Sequence, residues 1–242
     1  MYKLTTTFEL LNENDLAVKL DAFPENHVPS LVFPMPDRNE SILFFQNKQY
    51  HQSNQTRTTL QKHAKKMNFL DYSALAHTLR RFDCFSKRNS PMASLSSVLF
   101  PLGQPQHSPW INPVEIKELK EKGLFTLIHL VNGSTIQTTL TIRTIRNRSE
   151  QALSILSLLQ RDYLQSSAAS PLSVLQLPDT PFLRSLSQRA LLKKFPLPAD
   201  VLKEAYERDY ALQTFLRLGR SIDSAEWNYE TFSDLLTKLI NQ

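Results

Sequence analysis

The amino-acid sequence predicts an α+β fold, with a mainly β region over residues 1–165 and a helical region over residues 172–242. Three observations predict it. Short apolar runs bounded by turn residues fill the first part, an Asn-Gly pair joins two alternating segments, and beyond residue 149 the apolar period lengthens from two to three or four.

The earliest runs, residues 30–34 and 41–45, are bounded by Pro, Asp and Asn, and residues 97–101 form a third. Segments 124–131 and 134–143 flank Asn132-Gly133. Asn-Gly supplies the two positive-φ residues of a type I′ turn, so a β-hairpin is expected there. In its second strand Ile136, Leu140 and Ile142 are expected on the core face, with Thr135, Gln137, Thr139, Thr141 and Arg143 on the wet face. Residues 112–123 carry two signals. Asn112, Pro113 and Gly123 mark the ends of a helix, yet Val114 and Ile116 alternate as in a strand, and the strand is preferred.

Ser149 is the expected N-cap of a helix carrying Ala152, Leu153, Leu156, Leu159 and Tyr163. The stretch Gln165-Ser166-Ser167-Ala168-Ala169-Ser170-Pro171 has too little apolar surface to pack a core and cannot continue a helix, which places the main boundary there. Past it, residues 200–218 read as an amphipathic helix closed by Gly219, and Phe232, Leu235, Leu236, Leu239 and Ile240 mark another.

Composition removes several function classes. The 242 residues include four glycines, Gly103, Gly123, Gly133 and Gly219, too scattered to build a phosphate-cradling loop. A lone cysteine, Cys84, excludes an intrachain disulfide and any cysteine-cluster metal site, and suits a reducing cytoplasm. The N-terminus lacks the basic and apolar regions of a signal peptide, and no apolar run approaches the ~20 residues that cross a bilayer. Six histidines include no pair at i, i+4, so neither a metal centre nor a cofactor is expected. Cys84 follows Arg80 and Arg81, cations that lower a thiol pKa, but stands in no catalytic motif. Asp37 with Glu115-Ile116-Lys117 or Glu118-Leu119-Lys120 has the residue types of a Mg²⁺-dependent nuclease at an unpersuasive spacing. No catalytic residue is assigned.

Charge is more informative. The net +5 conceals a strong asymmetry: residues 57–148 hold fourteen cations against five carboxylates, while the segments before and after carry −3 and −1. A first cluster comprises Arg57, Lys62, Lys65, Lys66, Arg80, Arg81, Lys87 and Arg88, and a second Arg143, Arg146 and Arg148. These eleven are the candidate DNA-binding residues. Phosphates neutralised by such side chains release condensed counterions, a release that dominates affinity. Gln61, Asn68, Ser86, Asn89 and Ser90 lie among the cations and suit phosphates and base edges. Neither a zinc finger nor a basic zipper is present, so a β-based or minor-groove reader is expected.

The order of motifs in residues 97–151 is distinctive. Leu99-Phe100-Pro101 leads through a short polar loop to Trp110-Ile111, then to a charged stretch, the Asn132-Gly133 hairpin, and a helix start near Glu150-Gln151. In this layout, and more distantly through Phe69, Tyr72-Ser73, Arg80 and residues 87–91, the chain resembles the ComK family of competence transcription factors of Gram-positive bacteria. It departs from the family pattern in lacking glycine between residues 71 and 79 and in placing Ser108-Pro109 where a cysteine commonly precedes the tryptophan. The resemblance implies a cytoplasmic activator of DNA-uptake genes. Such a protein recognises AT-rich double-stranded DNA through the minor groove and acts as a homo-oligomer, with a proteolytic adaptor and RNA polymerase as further partners and no membrane. Arginines suit that role because a narrow AT-rich minor groove has enhanced negative potential. Trp110 and Phe100 are expected in the core. Two alternatives stand beside this expectation: a protein-interaction or assembly module acting through C-terminal helices, and the Mg²⁺-dependent nuclease.

Overall fold

The computed structural model describes residues 8–10, 18–19, 22–24, 27–35, 39–45, 48–52 and 54–221. Its larger sheet runs in the order β2 (Val18–Lys19), β5 (Lys48–Gln52), β4 (Glu40–Phe45), β3 (Leu31–Met35), β8 (Trp110–Ile111), β7 (Val98–Pro101) and β6 (Met92–Ala93). All neighbours are antiparallel except β2 and β5. The inner strands β3, β4, β8 and β7 are apolar at consecutive positions because both faces of the sheet are buried there. Leu31, Phe33, Ile42, Phe44, Val98, Phe100 and Ile111 enter one apolar cluster, while Val32, Leu43, Phe45, Leu99 and Trp110 enter another. A pleat of period two sends adjacent residues to opposite faces, and here each face meets its own core.

The second cluster is closed by α1 (Thr56–His63), through Leu60, and by Met67 and Phe69. His63 stacks on Phe23 at 4.0 Å and bonds Gln52 at 3.1 Å, so this histidine is a core residue. Trp110 and Phe100 are buried as expected, and the Trp110 indole donates to Pro105 O at 2.8 Å.

The smaller sheet is antiparallel, in the order β1 (Phe8–Leu10), β11 (Thr135–Thr138), β10 (Phe125–Leu130) and β9 (Ile116–Lys122). Thr126, Ile128 and Leu130 are buried while Phe125, Leu127 and His129 are half-buried, the alternation of a sheet with one covered face. The hairpin differs from expectation in its turn. Leu130 O accepts from Gly133 N, and only Gly133 has positive φ (+89°), so the loop is a three-residue turn with a glycine bulge. The two-residue loop lies one hairpin earlier, at Gly123-Leu124, with Gly123 at φ +60° and Phe125 opposite Lys122. Both signals in residues 112–123 prove real: Asn112 caps a single 3₁₀ turn, Pro113–Glu115, which passes directly into β9.

The second hairpin strand ends at Thr138, well before residue 143. Thr141 accepts from Thr144 N and caps α3 (Ile142–Tyr163), so Ile142 and Arg143 open the helix. Ser149, read as that cap, is buried mid-helix. Helix α3 contributes Ala152, Leu153, Leu156 and Leu159 to the first cluster, which also receives Ile116, Ile128 and Ile136 from the smaller sheet.

From Pro171 onward come α4 (Pro171–Val174), α5 (Pro181–Ser187), α6 (Ala190–Lys193) and α7 (Val201–Ser221). Phe182, Leu183, Leu186, Leu192, Leu202 and Tyr206 join the same cluster as α3 and the sheets, so one apolar core continues across the Ser/Ala-rich loop. Arg189 pairs with the buried Glu150, and Arg161 donates to Leu197 O and Pro198 O, tying these segments to α3. Helix α7 runs through Gly219 and does not end at it. The expected helix around residues 232–240 lies outside the described residues. The mainly β first part and helical C-terminal part make the fold α+β. No helix among the described residues is long and apolar enough to cross a membrane.

Candidate nucleic-acid interface

Helix α2 (Tyr72–Leu79) organises the basic region. Asp71 is its N-cap, accepting from Ala74 N at 2.9 Å, and the helix buries Ala74, Leu75, Thr78 and Leu79. Helix α7 covers its flank. Arg81 Nη2 meets the buried Asp209 Oδ1 at 2.5 Å, Thr78 donates to Asp209 Oδ2, and Asp71 N donates to Tyr206 Oη. Arg217 grips both oxygens of Asp71, at 2.9 and 3.2 Å. Burial pushes the Asp71 carboxyl up, but the hydrogen bonds from Arg217 and the helix N-terminus outweigh it and hold the pKa below the usual carboxylate range.

Against this scaffold a cavity of about 510 Å³ opens. Arg57 enters it from α1, Tyr72, Ser73 and His77 from α2, and Arg80 from the residue capping α2. Lys87, Arg88, Asn89 and Ser90 come from the following loop, Pro105 from another, and Gln213 from α7. Among the described residues no carboxylate lines it. Thr56 donates to Gln106 O and Gln106 to Thr58, pinning the Pro105 loop against α1. Asn89, at φ +58°, turns the 86–90 loop back toward α2. The Arg57 guanidinium lies 5.0 Å from the Tyr72 ring centroid, and its Nε is buried with no hydrogen-bond partner. A desolvated donor of that kind is costly unless an acceptor arrives.

The eleven sequence candidates therefore separate. Arg57, Arg80, Lys87 and Arg88 converge on this cavity, Lys87 also pairing with the exposed Asp83 at 2.8 Å. Lys65 lines a neighbouring one, while Lys62 and Lys66 are exposed on and just after α1. Arg81 is committed to Asp209. Arg148 is half-buried, donates to Pro101 O and Leu102 O, and meets Asn89 Oδ1 in the amide orientation that satisfies both its ends. Burial lowers the Arg148 pKa. Its work is to hold α3 against the end of β7, behind the cavity wall. On a helix of 3.6 residues per turn, Arg146 and Arg148 project about 200° apart, so the second cluster is no continuous face. Arg143 is exposed, and the Arg146 Nε is buried without a partner.

Among the expected polar neighbours, Asn89 and Ser90 line the cavity and Gln61 the neighbouring one, whereas Ser86 bonds within its own loop. Sequence reasoning missed Pro105 and Gln213, which are distant in the chain and carry no local signal. Cys84 is half-buried, and burial pushes its thiol up, away from an activated nucleophile. Of the nuclease candidates, Asp37 lies outside the described residues, Glu118 pairs with Lys120 at 2.7 Å, and burial raises the Glu115 carboxyl. No group of three or more potential metal ligands occurs among the described residues. Comparisons with protein-family models, with curated proteins and with solved structures find no match to this chain.

Proposed function

We propose that the protein is a DNA-binding transcription activator of the ComK type, acting in the cytoplasm on AT-rich promoter DNA to promote DNA-uptake genes. The observation that carries the DNA-binding half is the convergence of Arg57, Arg80, Lys87 and Arg88 on a concavity that no carboxylate among the described residues lines. Such a site attracts a polyanion and releases its counterions. The activator half, with a homo-oligomer, an adaptor and RNA polymerase as partners, rests on the motif order from Leu99 to Gln151. The test is a labelled AT-rich duplex titrated at several salt concentrations. If all four cations reach phosphates, log K falls against log salt with a slope between about −3 and −4. Absence of binding, or affinity indifferent to salt, overturns the proposal.

A second reading, the interaction module, is favoured by Leu212 and Leu216, one turn apart on α7 and 40% and 47% exposed. Replacing both by serine leaves duplex affinity unchanged under the first reading and removes the principal association under the second.

A further inference from the structure

Tyr72 and Ser73, the first two residues of α2, line two cavities: the cationic one and a neighbour of about 770 Å³. The two are lobes on either side of a shared wall, and their chemistries differ. Among the described residues the first offers four cations and no carboxylate. The second is walled by Phe69, Met92 and the Tyr206–Tyr210 pair, whose rings stack at 5.9 Å and 19°. Asp71, the carboxylate among its described lining residues, is already neutralised by the two-pronged contact with Arg217.

We propose that the two lobes form one site for a single unstacked nucleotide, its phosphate in the cationic lobe and its base against the aromatic lobe. The phosphate half rests on the nucleic-acid reading of the same cations, and the base half goes beyond it. Size supports a nucleotide unit: each lobe has the volume of a small-molecule pocket, so a strand or duplex lying across the cationic lobe can send only a phosphate or one unstacked base inward. Arg57 lines the cationic lobe with its guanidinium resting on Tyr72, a contact that fixes its N–H fork for a phosphate oxygen. On the other side Tyr210, 45% exposed, presents an aromatic surface of the kind on which bases stack whatever their identity. Gln61 and Thr214 give that lobe polar atoms for a base edge. A free nucleotide and a nucleotide extruded from a strand share this chemistry.

The test is calorimetric titration of the full-length chain with four probes: adenosine 5′-monophosphate, adenosine, inorganic phosphate, and the single strand (dA)₆. A nucleotide probe is expected to bind at least about ten-fold tighter than phosphate or adenosine, since each lobe holds only half the ligand. Tyr210→Ala should abolish the advantage over phosphate, and Arg57→Gln the advantage over adenosine, with unchanged circular dichroism in both variants. Binding of the monophosphate identifies a free nucleotide as a source, and binding of (dA)₆ alone identifies a strand; both support the site. Failure of every probe, equal affinity for phosphate and nucleotide, or a preference that both variants leave intact overturns it. The duplex salt titration on the same samples separates the two levels. If it persists, only the base half falls, and if it is absent, the nucleic-acid reading falls as well.

Discussion

Arg148 and Arg80 carry the same charge and do opposite work. The Arg148 guanidinium is spent on backbone carbonyls at the end of β7, whereas Arg80 is exposed at the cavity rim. Arg148→Ala leaves those carbonyls unsatisfied and is expected to cost about 2 kcal/mol of stability while leaving the duplex salt slope unchanged. Arg80→Ala is expected to do the reverse, and urea denaturation beside a binding titration distinguishes them. Arg81→Ala belongs with Arg148, because it strands the buried Asp209 carboxylate. Asp71 has two roles, as cap of α2 and as partner of Arg217. Asp71→Asn keeps a capping oxygen and loses the ion pair, which is partly exposed and worth at most about 1 kcal/mol. Asp71→Ala loses both and should cost about 1–2 kcal/mol. The folded pKa of Asp71 lies below its unfolded value of about 3.9, so its stabilisation is complete above that pH and is lost as pH falls through the folded value. The wild type should therefore lose more stability than Asp71→Asn between pH 5 and 3, and parallel losses would contradict the assignment.

Three strands of the larger sheet, β3, β4 and β7, were legible because each is a brief apolar run between turn residues, whereas β5, with the sequence Lys-Gln-Tyr-His-Gln, has no such run to read. That consecutive apolar residues serve two different cores was not legible, since a run buried on both faces has no period to read. Local chemistry misled at two glycines. Asn132-Gly133 has the residues of a two-residue turn, but the pairing of His129 with Thr135 and the bond from Leu130 N to Ser134 O leave three residues to close, and register decided the turn. Gly219 ends no helix, because α7 passes through it. The Ser/Ala-rich loop at 165–171 has the composition of a linker, yet α5, α6 and α7 return their leucines to the core that α3 and the sheets share. Removal of everything after residue 170 is accordingly expected to unfold the chain, not to release a DNA-binding fragment. Leu186→Ala, at a fully buried site, should cost about 2–5 kcal/mol and lower one common transition seen by both circular dichroism and tryptophan fluorescence. Two separated transitions would show two independent units.

For the whole molecule, the charge asymmetry of residues 57–148 includes the four cations that line the cavity and overstates the number that gather. Composition counts charges, whereas the fold assigns them. Arg81 and Arg148 became internal partners, the remaining α3 arginines stayed outside the cavity, and four side chains from α1, the α2 cap and one loop converged. The aromatic lobe beside them was invisible in sequence because Tyr206 and Tyr210 reach it from more than 130 residues downstream of Phe69. The central claim is that Arg57, Arg80, Lys87 and Arg88 hold nucleic-acid phosphates. Its most direct measurement is the salt dependence of duplex binding for the wild type and each single alanine variant. The account predicts that each of these four substitutions reduces the slope by about one, and that Arg148→Ala leaves it unaltered. A slope the four substitutions do not move, or one that Arg148→Ala reduces equally, would contradict it.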